Sequence, residues 1–252
     1  MFYSLYTAAR DIHGSHREAV KQATANARRI IDLERNLGIF HEQAVQNHFL
    51  AHRGFIEFWD GFYGSIHFLA VIAVLVLLFW KFPERYRLWR NTLAITTGLA
   101  LIGFAFFPLL PPRLLAAPFH FVDTVDTFGG LWSFENDTIT DVSNLYAAMP
   151  SLHAAWSMWC AVAVVPMVRR RWARPLPLLI PLATIFCIVV TANHYFIDAL
   201  GGVAVLAAAY VLALRVTPWA DRRHHRRPPD GHGQRTSTPP RCERRGARLL
   251  SR

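Results

Sequence analysis

The chain has 252 residues, of which 53% are hydrophobic and 17% charged, with a formal net charge of +10. That balance fits either one large soluble domain or a small helical membrane protein, and the placement of charge excludes the first. Five stretches (62–80, 91–111, 151–168, 175–193 and 194–214) contain no Lys, Arg or Glu and a single acid, Asp198; about 20 apolar residues cross ~30 Å of hydrocarbon, whereas a soluble core would interrupt such runs with polar helix faces.

The expected fold is therefore all-α: a polytopic helical membrane bundle with five complete spans and an N-terminal amphipathic helix. Residues 1–14 begin apolar and aromatic but are too few to cross a bilayer, and no basic segment precedes them as in a signal peptide. They read as the stub of a truncated first span. Residues 15–61 carry amphipathic helices. From 15 to 37, Val20, Ala23, Ala27, Ile30, Ile31 and Leu37 share one face while Lys21, Arg28, Arg29 and Arg35 lie off it, and Gly38 is the expected stop. A shorter helix is expected over 41–52. Helices of this kind lie in the interface or pack as a collar over a bundle, and the collar is the simpler reading.

Residues 62–217 form the expected membrane domain. The loop 81–90 and the loop 169–174 each hold four basic residues, which makes both cytoplasmic, whereas 112–150 holds one, Arg113, against Asp123, Asp126, Glu135, Asp137 and Asp141. Trp59, Trp80, Trp89, Trp132 and Trp172 fall near or between span ends, where aromatic anchors belong. This topology puts Arg113, His153 and His194 on one non-cytoplasmic face. It also puts the first sixty residues there, unless a further span precedes them. The tail 218–252 holds ten arginines against Asp221, Asp230 and Glu243, so +7 of the net charge is there; with little to bury it is expected to be disordered and cytoplasmic. Its charge suits anionic headgroups or topology better than nucleic acid, and no nucleic-acid partner is expected. Cys160 and Cys187 fall within spans and Cys242 in the tail, with no disulfide framework or metal-ligand spacing.

Two short motifs carry the chemistry. In Met149-Pro150-Ser151-Leu152-His153, proline and serine start a helix, and the free N–H groups and positive end of that helix suit a phosphate beside His153. In Asn193-His194-Tyr195-Phe196-Ile197-Asp198, histidine and aspartate four residues apart share a helix face. The carboxylate can fix the imidazole tautomer and stabilise its charged form, leaving the other nitrogen free. An acid in an apolar span costs roughly 2.5–3.5 kcal/mol on insertion scales, which marks Asp198 as functional, with His194 its partner; a structural ion pair is the plainer alternative. Arg113 is either an interfacial anchor or a bidentate clamp for phosphate. His67 and His120 read as packed or interfacial residues. His48 and His52, lacking a third ligand, read as an exposed helix face.

Together, Pro112-Arg113, the Met149–His153 motif and the Asn193–Asp198 motif resemble the signatures of the type 2 phosphatidic acid phosphatase superfamily, and most resemble the branch of inositol phosphorylceramide synthases (inositolphosphotransferases) and their bacterial relatives. Leu33-Glu34-Arg35-Asn36-Leu37-Gly38-Ile39 and Glu42 also look like that branch. The resemblance implies a six-helix bundle and a reaction needing no metal or cofactor. In that reaction His194 attacks phosphorus, Asp198 orients it, His153 protonates the leaving oxygen, and Arg113, with Ser151 at the helix start, holds the phosphate. Three features depart from the family pattern: Leu152 replaces a glycine, Cys187-Ile188 replaces a Ser-Arg pair, and the usual lysine of the first motif is absent. Fewer cations then reach the phosphate, which leaves a phosphodiester or headgroup transfer open beside monoester hydrolysis.

The expected function is a membrane lipid phosphatase or phosphotransferase acting on a phospholipid headgroup or polyprenyl phosphate. It would sit in the plasma (cytoplasmic) membrane with its site on the non-cytoplasmic side. The competing readings are a non-catalytic scaffold or transporter with a structural His–Asp pair and, ranked last, nucleic-acid binding by the tail.

Overall fold

The computed structural model describes residues 16–115, 118–128 and 148–225; the proposed stub at 1–14 and the tail beyond His225 lie outside the described residues. The chain separates into two compact units, Met1–Thr217 and Pro218–Arg252. In the second, the described residues are 218–225, the last two turns of a helix. In chain order the helices are α1 (His16–Asn36), α2 (Glu42–Phe49), α3 (Arg53–Lys81), α4 (Pro83–Phe106), α5 (Thr124–Phe128), α6 (Leu152–Val164), α7 (Leu179–Val190) and α8 (Phe196–His225). The described part is all-α, with single 3₁₀ turns at Pro112–Leu114, Val165–Met167, Arg171–Ala173 and Leu176–Leu178.

Among the described residues, three helical segments are long and apolar enough to cross a membrane: Arg53–Lys81, Arg171–Val190 and Phe196–Pro218. The protein is an integral membrane protein. The other two expected spans differ from these for a chemical reason. Leu152–Met167 is apolar but short. In α4, Asn91, Thr92, Thr96 and Thr97 dilute the apolar run, and the threonine hydroxyls donate back to the carbonyls of Leu88, Thr92 and Leu93 at 2.8–2.9 Å, so they cost little in an apolar setting. Outward faces stay greasy: Phe68, Leu69, Ile72 and Phe79 of α3, Leu182 of α7 and Leu200 of α8 are exposed, as lipid-facing surfaces must be.

Helix α6 packs against α3, α4 and α7. Its buried side chains include Ala154, Ala155, Ala161 and Ala163, small residues that let neighbouring backbones approach, with Trp159 filling the space beneath. Helix α1 packs at one end of the bundle: Ala23, Ala27, Ile30 and Ile31 are buried with Leu109, Leu110 and Tyr195. Leu37, expected on that face, is 60% exposed. The helix ends before it, where Gly38 takes φ 70° and Ile39 N donates to Glu34 O at 2.9 Å. This left-handed glycine closure turns the chain away. The turn delivers α2 alongside, and α2 packs on α7.

Candidate active site

The start of α6 is fixed by four contacts. Ser151 is the N-cap, and its hydroxyl accepts from Ala154 N at 3.3 Å. Its own N–H donates to Asp198 O at 3.0 Å, tying the start of α6 to the first turn of α8. One turn further along α8, Gly202 lets the helices touch: a Cβ there would lie 2.2 Å from Ser151 O. On the other side Gly103 of α4 makes room for Pro150, whose Cδ would be 2.6 Å from an added Cβ. The Pro150–Ser151 step is therefore clamped between α4 and α8, and His153 follows within the first turn.

The loop between α7 and α8 places the second histidine. Asn193 N and His194 N both donate to Ile188 O, at 2.9 and 3.1 Å, Ala192 adopts φ 49°, and Asn193 Nδ2 donates to Thr191 Oγ1 at 2.8 Å. Arg113 N donates to Ala192 O at 2.9 Å, which docks the segment after α4 onto this loop. His194 is 4% exposed and Asp198 fully buried, with Nδ1 3.4 Å from Asp198 Oδ2. The same carboxylate oxygen accepts from Tyr195 N at 3.1 Å.

The imidazoles of His153 and His194 have ring centroids 5.5 Å apart. His153 stacks on Tyr63, with centroids 4.1 Å apart and planes 19° from parallel, and lies 4.2 Å from the His67 ring. His67, read from sequence as a packing residue, thus borders the site, and so does Tyr63, which drew no attention. The signal for both was available: Asp60, Tyr63 and His67 follow one another at spacings of three and four, a polar stripe on one face of an otherwise apolar helix.

Arg113 reaches the neighbourhood through its backbone, but its guanidinium is already engaged. Nη1 pairs with Asp123 Oδ2, and Nε is buried with no hydrogen-bond partner among the described residues. Asp60 Oδ1 accepts from Thr124 Oγ1 at 2.8 Å. The segment holding Asp123 and Thr124 is fastened to α2 by Gln46, whose amide both donates to Val122 O at 2.8 Å and accepts from Val122 N at 3.0 Å. Cys187 and Ile188 are buried, and the thiol donates to Trp59 O at 3.2 Å; these positions pack the core. His48, His52 and His120 are exposed. Among the described residues no group of three His, Cys, Asp or Glu is arranged to hold a metal.

With this geometry in hand, comparison with known families is decisive: the match to the PAP2 superfamily runs over residues 28–212. The chain belongs to the PAP2 superfamily. No curated protein and no solved structure matches it significantly. The matched range contains Arg113, His153, His194 and Asp198, and also Glu34 and Glu42 at the end of α1 and the start of α2. As a superfamily member embedded in a membrane, the protein acts as a phosphatase or phosphotransferase on phosphorylated lipids in the general sense.

Proposed function

We propose that this PAP2 protein transfers a phosphoryl group from a lipid-linked phosphate through a phosphohistidine at His194, without a metal, on the non-cytoplasmic side of the plasma membrane. Asp198 holds Nδ1, so the other ring nitrogen, Nε2, is the nucleophile. Nε2 forms a bond to phosphorus as the P–O bond to the leaving group breaks, and His153 gives its proton to that oxygen. In the second half a water or alcohol O–H gives its proton to His153, its oxygen attacks phosphorus, and the N–P bond breaks. Arg113 and the helix start at Ser151 supply donors for the non-bridging oxygens.

The observation that carries this reading is the close approach of two imidazoles from separate motifs, one of them backed by a fully buried carboxylate. The Arg113–Asp123 pair refines the substrate class. A guanidinium already paired with a carboxylate offers less net positive charge to a dianion, which favours a singly charged phosphodiester and hence headgroup transfer of the inositolphosphotransferase kind. A scaffold with a structural His–Asp pair has no observation in its favour beyond the pair itself.

The test is purified protein in chelator with short-chain phosphatidic acid, a polyprenyl phosphate, or phosphatidylinositol plus an acceptor alcohol. Turnover of at least one, with an acid-labile phosphate on His194, is expected. His194→Ala should reduce turnover to background and His153→Ala should cost about 10²–10⁴-fold in kcat. Undiminished activity in His194→Ala, or a strict requirement for a divalent metal, would refute the mechanism.

A further inference from the structure

Three successive backbone N–H groups where the chain enters α8 each find a carboxyl oxygen. Tyr195 N donates to Asp198 Oδ2 at 3.1 Å, Phe196 N to Glu42 Oε1 at 3.0 Å and Ile197 N to Glu34 Oε1 at 2.8 Å. Glu34 and Glu42 are fully buried and belong to other helices, the last turn of α1 and the first turn of α2. Arg35, beside Glu34, does not neutralise it: its guanidinium lies over the rings of Phe40 and Phe119 at 5.0 and 5.6 Å. The second oxygens, Glu34 Oε2 and Glu42 Oε2, are buried with no other partner among the described residues, and the two carboxyls are within hydrogen-bonding reach of each other.

Three buried carboxylates around one helix start, facing at most one imidazolium, would repel each other and lack solvation. Two carboxyl groups attract only when a proton lies between them. We propose that Glu34 and Glu42 share one proton and form a positioning pair, holding the start of α8 so that His194 and Asp198 stand against His153. The helix ends decide where the proton sits. Glu34 is at the C-terminal, negative end of α1, which disfavours its anion, whereas Glu42 is among the free N–H groups opening α2, which favour it. Glu34 therefore carries the proton as donor to Glu42, and Glu42 carries the charge. Consistent with this, burial first and then the contact with Glu42 push Glu34 up to about 9. The other titratable groups bearing on it are Asp198 in α8 and, in the preceding loop, Tyr195.

This arrangement explains the spacing of the two glutamates. Gly38 ends α1 in a left-handed turn, and the reversal brings residue 42 beside residue 34 on one side of α8. Two helices from the N-terminal end of the chain thereby fix the backbone where the catalytic loop enters α8.

The catalytic consequence rests on the phosphohistidine reading; the shared proton does not, and the experiment separates them. Infrared difference spectra of the full-length protein in nanodiscs, wild type minus Glu34→Gln, should show a protonated-carboxyl C=O band at pH 7 that disappears as pH rises through about 9. Absence of that band overturns the proposal, whatever the enzyme turns over. In the turnover assay with the short-chain lipid phosphates named above, Glu34→Gln, whose amide can donate as the acid does, should keep near-wild-type kcat. Glu34→Ala and Glu42→Gln should each lose about 100-fold in kcat, the scale expected of a 1 Å misplacement, with little change in KM. A Glu34→Gln variant as inactive as Glu34→Ala, or a fully active Glu42→Gln, would also overturn it. If no lipid phosphate is turned over while the band is present, the failure belongs to the phosphohistidine reading alone.

Discussion

Helix α3 crosses two regions that treat buried side chains differently. Its first half buries Asp60 and His67, with Tyr63 half-buried between them, and its second half buries Val71, Val74 and Leu78. The first half borders His153 and the polar groups around the start of α8. The second packs against Trp89, Trp159, Cys160 and Leu206, a cluster without a charged member. The helical period is the same in both halves. In the apolar half a residue matters by its volume, and a lost methyl group costs stability through the cavity it leaves. In the polar half the side chains carry hydrogen-bonding groups beside the two catalytic candidates: Asp60 accepts from Thr124 Oγ1, Tyr63 stacks on His153, and His67 is in ring contact with His153. A substitution there is expected to change chemistry and alignment before it changes stability.

The largest test of this contrast is Asp198→Asn. It keeps the shape, and the amide oxygen can still accept from Tyr195 N, but it removes the charge beside His194 Nδ1. By analogy with triads, kcat should fall by about 10²–10⁴-fold while thermal unfolding in detergent shifts little. Next comes Gly202→Ala. The added methyl would meet a backbone oxygen, Ser151 O, at 2.2 Å, and no rotamer can relieve that. The expected cost is about 1–3 kcal/mol of stability together with lost turnover, because α6 and α8 must separate. Gly201→Ala is the matched control: its nearest neighbour, Met149 Cε, would be 3.5 Å away, and it should behave as wild type in both assays.

The regions also differed in how far they could be read from sequence. The apolar half was legible, since uninterrupted runs and basic loops are properties of the local sequence, and the bundle is all-α as expected. His153, His194 and Asp198 stood out because each breaks an apolar run. Glu34 and Glu42 were marked only by the family resemblance, without a role, and Asp60 not at all. An acid on an amphipathic helix reads as a solvated face until tertiary packing buries it, and burial of Glu34 and Glu42 comes from α8, more than 150 residues away. The partnership of Arg113 with Asp123 was likewise invisible: both residues were assigned to the same face of the membrane, but only the folded loop shows which atoms pair. Leu37 failed in the opposite direction, because the glycine turn ends the helix one residue before it.

The buried glutamate pair gives the polar half a pH dependence that the apolar half lacks. In the unfolded chain Glu34 titrates near 4.5, and in the folded protein near 9. Between these values the folded state binds a proton that the unfolded state has lost. Stability contributed by this group should therefore decline as pH rises from about 4.5 to about 9 and level off beyond. Thermal unfolding of wild type and Glu34→Gln across that range should show a steeper loss in wild type. Parallel curves would place the proton elsewhere.

The smallest expected effect falls on the border between the two regions. Trp156 Nε1 donates to Thr97 Oγ1 at 3.1 Å, and its ring lies 6.1 Å from that of His67. Thr97→Val keeps the volume, deletes the acceptor and leaves the indole N–H without this partner. Hydrogen bonds between membrane helices average about 0.6 kcal/mol, and those in soluble proteins about 0.5–1.5. The variant should therefore unfold at a slightly lower temperature, with kcat and its pH profile unchanged. The indole ring lies beside His67, and His67 meets His153 by ring contact, so a small shift of Trp156 is expected to leave the proton on His153 in place. A large fall in kcat would move the border, making α4 part of the catalytic assembly as well as the wall that leaves room for Pro150.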